Sequence, residues 1–362
     1  PTPGDPLSSS LRLLPLLAAI AAVPLAAQQG APRCPAPAAI DSTTMLRDLY
    51  RLAHDSMTGR LIGTPGNLKA RDFLAARFDA LGLEAPATGR LQRVPVSSAR
   101  LPGVQAAWNV LGIVRGTVSP ERWIVVTAHF DHVGIGRPVA GDSIYNGADD
   151  NASGAAALAV LAQHFQRHPI GHSLLFAAGG GEGRGMWGSR ALVEAPVVPL
   201  DAGVLNVNLD MISRNTRNEL YLAGPGRYPA LVPAAEAAVA CSPLTLRLGH
   251  DTDAAGPGND WTSQSDHAAF HRAGIPFAYF GVEDHPENED GSCPLYPGLT
   301  CTDHHAVFNR AIHVVGVFRV SPGNFVLHPD RCEAGAAAKA VLVPEADLPK
   351  WGGGVEDYLA AF

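Results

Sequence analysis

The chain has 362 residues, 46% of them apolar and 17% charged, with 38 glycines and 30 prolines, enough to bury a large core in one or two domains. A formal charge of -7 leaves no basic footprint and argues against a nucleic-acid partner. No segment repeats, which argues against a solenoid.

Residues 11–27 form a nearly uncharged Leu/Ala run with Arg12 at the front and Ala26 and Ala27 at the back. The run is short for a membrane span, which needs about 20 apolar residues. Pro15 and Pro24 interrupt it as a core helix. Residues 1–27 therefore read as a secretory signal peptide, which makes the mature protein secreted or periplasmic and without a membrane span. Residues 28–40 are rich in Pro and Ala and read as a disordered linker. The cysteines (Cys34, Cys241, Cys293, Cys301 and Cys332) are too scattered for a disulfide framework, and none has zinc-finger spacing. In an exported protein Cys293 and Cys301 could staple their own loop.

From Asp41 the apolar residues Met45, Leu46, Leu49 and Leu52 recur at helical spacing behind cap signals. The turn from Gly59-Arg60 to Asn67 leads into a second helix with Leu68, Phe73, Leu74, Phe78 and Leu81 on its apolar face, closed by Gly82. Strands are expected at 91–96, 108–114, 123–128, 173–178, 204–209 and 275–280, with helices at 155–165, 186–193, 229–240 and 267–272. That alternation predicts an α/β fold, a mostly parallel mixed sheet covered by helices on both faces in three layers. One domain is expected over 41–343, with a tail at 344–362.

The chemistry concentrates at strand ends. The apolar run Ile124-Val125-Val126-Thr127-Ala128 delivers His129-Phe130-Asp131-His132, and Gly147-Ala148-Asp149-Asp150-Asn151-Ala152-Ser153-Gly154 then opens a helix. Open α/β sheets bind ligands at the carboxyl edge of their strands. Imidazole with carboxylate is a donor mix that suits zinc with an open position. Glu182 and Asp210 each follow another apolar strand, and Ser265-Asp266-His267 precedes Gly274-Ile275-Pro276. Taken singly, His129 reads as structural, Asp149 or Asp150 as a helix N-cap and Glu182 as a solvated loop residue. Taken together at successive strand ends, they read as a metal site.

At these residues, with Gly185-Met186-Trp187-Gly188-Ser189 and Asn208-Leu209-Asp210-Met211, the chain resembles the zinc-dependent exopeptidases that include bacterial leucyl aminopeptidases, with glutaminyl cyclases as relatives of the same fold. The resemblance implies that His129 and Asp210 hold one zinc and that Asp149 bridges it to a second. It implies that Asp131 accepts a hydrogen bond from His129 and that Glu182 is the general base toward metal-activated water. Asp266 and His267 receive no ligand role.

The pattern breaks in two places. The family writes two adjacent glutamates, whereas here Gly183 follows Glu182 and cannot ligate. The histidine expected for the same second zinc is His305, with Glu289 and His285 as alternatives. The expectation is one firmly bound zinc and a weak or absent second one. The implied function is an exported zinc aminopeptidase acting on peptides. The alternatives are a catalytically weak or inactive binding protein on the same fold, or a glutaminyl cyclase.

Overall fold

The computed structural model describes Cys34 and residues 40–96, 101, 103–104, 106–139, 142–200, 204–213, 219–252, 259–282, 318–321 and 324–327. Its centre is β3 (Ser119–His129), whose run of β-branched residues suits a strand buried on both faces. Side chains alternate along it. Val126 and Ala128 enter one core, and Trp123 and Val125 enter another on the opposite face.

Beside β3 lie β6 (His172–Gly179) and β7 (Leu205–Leu209), both parallel to it, and β10 (Phe277–Gly281) continues the parallel run from β7. With β1 (Leu91–Pro95), β2 (Ala106–Val114), β8 (Glu219–Ala223) and β9 (Thr245–Leu248), they form an eight-stranded sheet in the order β1-β2-β6-β3-β7-β10-β8-β9. The pairs β1-β2, β2-β6 and β10-β8 are antiparallel, so the mixed sheet has a parallel centre. Helices α1 (Ser42–Leu52), α2 (Pro65–Ala80) and α3 (Gly154–Arg167) pack on one face. Helices α4 (Trp187–Glu194) and α6 (His267–Arg272) pack on the other, and α5 (Val232–Cys241) covers the β8-β9 edge. The α3 alanines Ala155, Ala156, Ala159 and Ala162 are fully buried and let this helix lie close to the sheet.

Several elements were not expected. Residues after His132 form a hairpin, β4 (Gly134–Val139) with β5 (Asp142–Tyr145), and β8 and β9 add two strands at one side of the sheet. Each is four to six residues long, too short for a period of two to stand out. A further pair, β11 (Phe318–Ser321) and β12 (Asn324–Leu327), runs antiparallel apart from the main sheet. Leu68, expected on the buried face of α2, is exposed, and Ala70, Leu74 and Phe78 carry that face. Cys34, within the expected linker, is disulfide-bonded to Cys241 at the end of α5. The expected Cys293–Cys301 pair, the signal peptide and the tail lie outside the described residues.

Arg60 holds the loops that carry the strand-end residues. Its guanidinium is fully buried and donates to Phe130 O at 2.7 Å and to Leu52 O, Asn146 O and Gly147 O at 2.6 Å. Its own carbonyl accepts from His132 N at 3.3 Å and from Asn67 Nδ2 at 3.1 Å. Burial lowers its pKa to about 10, partly countered by Asp150 and Asp131, so it stays charged at neutral pH. Arg60→Met strands four buried carbonyls, each worth about 1–3 kcal/mol when left unpaired. Allowing for relaxation, the expected loss is at least about 3 kcal/mol, read from the urea midpoint, and Arg60→Lys recovers less than half because one ammonium cannot reach all four. An unchanged midpoint for Arg60→Met contradicts this.

Candidate metal centre

Three parallel neighbours end side by side. His129 is the last residue of β3 and pairs with Gly179 at the end of β6, while Thr127 pairs with Asn208 near the end of β7. Glu182 follows β6 and Asp210 follows β7, so the register alone brings His129, Glu182 and Asp210 to one edge. The chain passes from β3 to β6 through α3 on one face, and from β6 to β7 through α4 on the other. Outgoing loops therefore diverge at β3, where such sheets open a crevice.

Asp150 completes the cluster from the turn before α3. His129 Nε2 lies 3.2 Å from Asp210 Oδ1 and 3.3 Å from Asp150 Oδ1, and the ligand atoms of the three residues all lie within 4.8 Å of one another. His129 and Asp210 thus stand where the sequence reading puts them, but Asp149 does not. Its buried carboxylate turns away, and its Oδ1 accepts from Ser213 N at 3.0 Å and Ser213 Oγ at 2.7 Å. Asn151 and Ser153 make the same turn inward. Asn151 Nδ2 donates to Leu209 O at 2.9 Å, and Ser153 Oγ accepts from Ile212 N at 3.3 Å. Alternate side chains of this motif therefore tie the turn to the exit of β7, and Asp150, between two of them, faces His129.

Asp131 also corrects the expectation. Its Oδ1 is 3.8 Å from His129 Nδ1, too far for a hydrogen bond, and that ring nitrogen instead meets the Asp131 main-chain oxygen at 3.2 Å. The carboxylate is claimed by two amides, Gly181 N at 2.7 Å and Glu182 N at 3.3 Å. Asp131 therefore fixes the turn that carries Glu182. Burial raises its pKa, countered in part by His129 and by those amides.

Glu182 Oε2 stands 4.0 Å from His129 Nε2, beside the cluster. Burial pushes its pKa well above the usual glutamate range; His129 opposes this, and Asp210, Asp266 and Asp150 add to it. For His129 burial works downward, but Asp210, Glu182 and Asp150 outweigh it and hold its pKa well above the ordinary imidazole value. Behind the site, Asp266 is buried with a hydrogen bond from Ser189, its pKa raised to about 6 mainly by burial. His267 is fully buried, stacked on Tyr279, with Nε2 2.8 Å from Trp261 O, and burial lowers its pKa to about 3. His305, His285 and Glu289 lie outside the described residues.

The donor set fits a divalent cation. One imidazole and two carboxylates converge with a third carboxylate beside them, while the nearby Arg60 spends its donors on main-chain carbonyls. Carboxylates gathered this tightly repel one another without a cation between them. The sequence reading also passed over His132, whose Nδ1 lies 3.3 Å from Asp150 Oδ2; a second histidine three residues after the first was the available signal.

Aminopeptidase YwaD of Bacillus subtilis is 30% identical over 195 residues, covering 51% of this chain and 38% of that protein. A probable zinc metalloprotease of Pyrenophora teres f. teres is 29% identical over 134 residues, 36% of this chain and 28% of its own. The chain thus spans well under half the length of either relative. Among solved structures, a glutaminyl cyclase from Porphyromonas gingivalis superposes with a TM-score of 0.55 at 18% identity, covering 71% of this chain and 88% of that one. A leucine aminopeptidase precursor from Bacteroides thetaiotaomicron gives 0.52 at 17%, covering 69% and 90%. At these identities the superpositions speak to the shared fold alone. The model of peptidase family M28 matches residues 109–320, more than half of the sequence, and the chain belongs to that family.

Proposed function

We propose that this chain is an exported zinc aminopeptidase that hydrolyses N-terminal residues from peptides. The observation that carries the reading is a carboxylate, Glu182, standing beside a His129-Asp150-Asp210 donor cluster without being one of its three members. In this reading His129, Asp150 and Asp210 hold the zinc. Bound there, zinc supplies Lewis acidity toward water and a scissile carbonyl.

The remaining work falls to the chain itself. Glu182 accepts a proton from the attacking water on its carboxylate and hands it to the departing amine. Burial raises its pKa, the direction that helps it hold the proton until it is passed on. Asp131, through the Gly181 and Glu182 amides, keeps the base on its turn.

The same reading has one firmly bound zinc and a weak or absent second. Gly183 offers no donor, and among the described residues nothing lies within 4 Å of where its Cβ would stand. Export is supported by the Cys34–Cys241 disulfide, which suits an oxidising compartment, and by the signal-like run at 1–27. Among the described residues no helix is long and apolar enough to cross a membrane.

After dialysis the protein is expected to retain one zinc per chain by elemental analysis, and two tightly held ions contradict the count. Asp150→Asn should weaken zinc binding by more than the roughly 10- to 100-fold that an outer partner costs, whereas Asp149→Asn changes it by less than about tenfold.

Glu182→Gln should keep the zinc and lower kcat on an aminoacyl-nitroanilide by about 100- to 10,000-fold. Turnover equally absent from the zinc-loaded wild type and from Glu182→Gln supports the binding-protein alternative. Ammonia released from an N-terminal Gln peptide supports the cyclase.

Zinc must displace the proton that the carboxylates stabilise on His129. Because that pKa is raised, the imidazole stays protonated above its ordinary range, and apparent zinc affinity should rise by about tenfold per pH unit through neutrality. Calorimetry in buffers of different ionisation enthalpy should show proton release at pH 7, and a pH-independent affinity would overturn this.

A further inference from the structure

His132 has no part in the mechanism above, yet it is one of the more tightly held side chains around the site. It is 7% exposed, and its main-chain N donates to Arg60 O at 3.3 Å. Its ring lies against Gly147, where a Cβ would come within 2.5 Å of the imidazole Cγ. Gly147 also has a φ of 60°, so glycine is favoured there on both grounds. The imidazole Nδ1 lies 3.3 Å from Asp150 Oδ2, and among the described residues the buried Nε2 has no hydrogen-bond partner.

Two observations select the tautomer. A carboxylate oxygen only accepts, so the nitrogen facing it must carry the hydrogen. A buried N–H without an acceptor is rarer than an unpaired lone pair, so the bare nitrogen is Nε2, which meets no partner among the described residues. Both place the proton on Nδ1.

We infer that His132 is a positioning residue of the metal centre, donating from Nδ1 to the outer oxygen of Asp150 and aiming its inner oxygen at the ion. The Asp150 carboxylate is then held between two imidazoles, Oδ1 toward His129 at 3.3 Å and Oδ2 toward His132 at 3.3 Å. Rotation about its side-chain torsions, which would pull Oδ1 out of the cluster, must break the His132 contact. A hydrogen bond to one oxygen also leaves the other as the main donor, which suits a single ion. The inference rests on the zinc reading and adds the residue that orients one of its ligands.

Phenylalanine and asparagine at position 132 separate a donor from a space-filler. Phenylalanine keeps the ring volume and loses the N–H; asparagine loses the ring and places an amide N–H close to where Nδ1 stands. Zinc Kd is measured by chelator competition on the full chain, with the visible spectrum of the cobalt(II)-loaded protein and the melting temperature of the metal-free protein alongside. His132→Phe is expected to bind zinc about 10- to 100-fold more weakly and to alter the cobalt spectrum, while His132→Asn stays within about threefold of wild type. A His132→Phe variant that binds zinc like wild type overturns the inference, since packing alone then suffices. A His132→Asn variant that melts like wild type but loses more than threefold also overturns it. If the phenylalanine variant does not fold, the asparagine variant decides by the same threshold. Wild-type protein that takes up no zinc defeats the metal-centre reading and this inference with it; zinc uptake by wild type with no loss in His132→Phe defeats this inference alone.

Discussion

An imidazole nitrogen held 3.2 Å from one carboxylate oxygen and 3.3 Å from another is the contact on which the rest of this molecule depends. The three groups come from segments far apart in the chain and lie in a buried setting, where like charges repel strongly. Two carboxylates tolerate such proximity when one of them takes up a proton or when positive charge lies between them, from a protonated His129 or from a metal ion. The same electrostatics raises the His129 pKa and suits the cluster to a cation. In the proposed zinc reading, proton and zinc compete for one place, which ties metal loading to pH.

The supporting structure is mainly main-chain hydrogen bonding rather than ion pairing. Arg60 places a buried positive charge beneath the centre but directs its donors to four carbonyls, tying the loops on either side of the site to the end of α1. Asp131 does the complementary job with a negative charge, gathering two amides of the Glu182 turn. Both charges act as many-armed connectors for loops that make few regular hydrogen bonds of their own. Such loops hold their geometry only if their buried polar groups are satisfied.

The Gly147–Gly154 motif shows a similar division of labour within eight residues. Asp149, Asn151 and Ser153 all bond toward the chain leaving β7, and Asp150 is left to face His129. The packing of this turn against the exit of β7 therefore helps to place Asp210 as well, because Asp150 and Asp210 hang from the same local network. A change in either segment moves the other.

The sequence alone determined the layered α/β fold, the strands at the centre of the sheet and the identity of most of the chemistry, because those features are local. A β-branched run reads as a buried strand, and a charged residue just past such a run has to lie near the sheet edge. That logic located His129, Glu182 and Asp210. The resemblance named Asp149 rather than Asp150, adjacent residues of one type whose directions depend on which of them Ser213, more than sixty positions later, takes as a partner. The sequence could not assign the Asp131 carboxylate to the Glu182 turn, show Cys34 reaching Cys241, or give His132 its place against Asp150. Those choices were made by the tertiary structure, since each is a contest between competing partners that meet only once the sheet has formed.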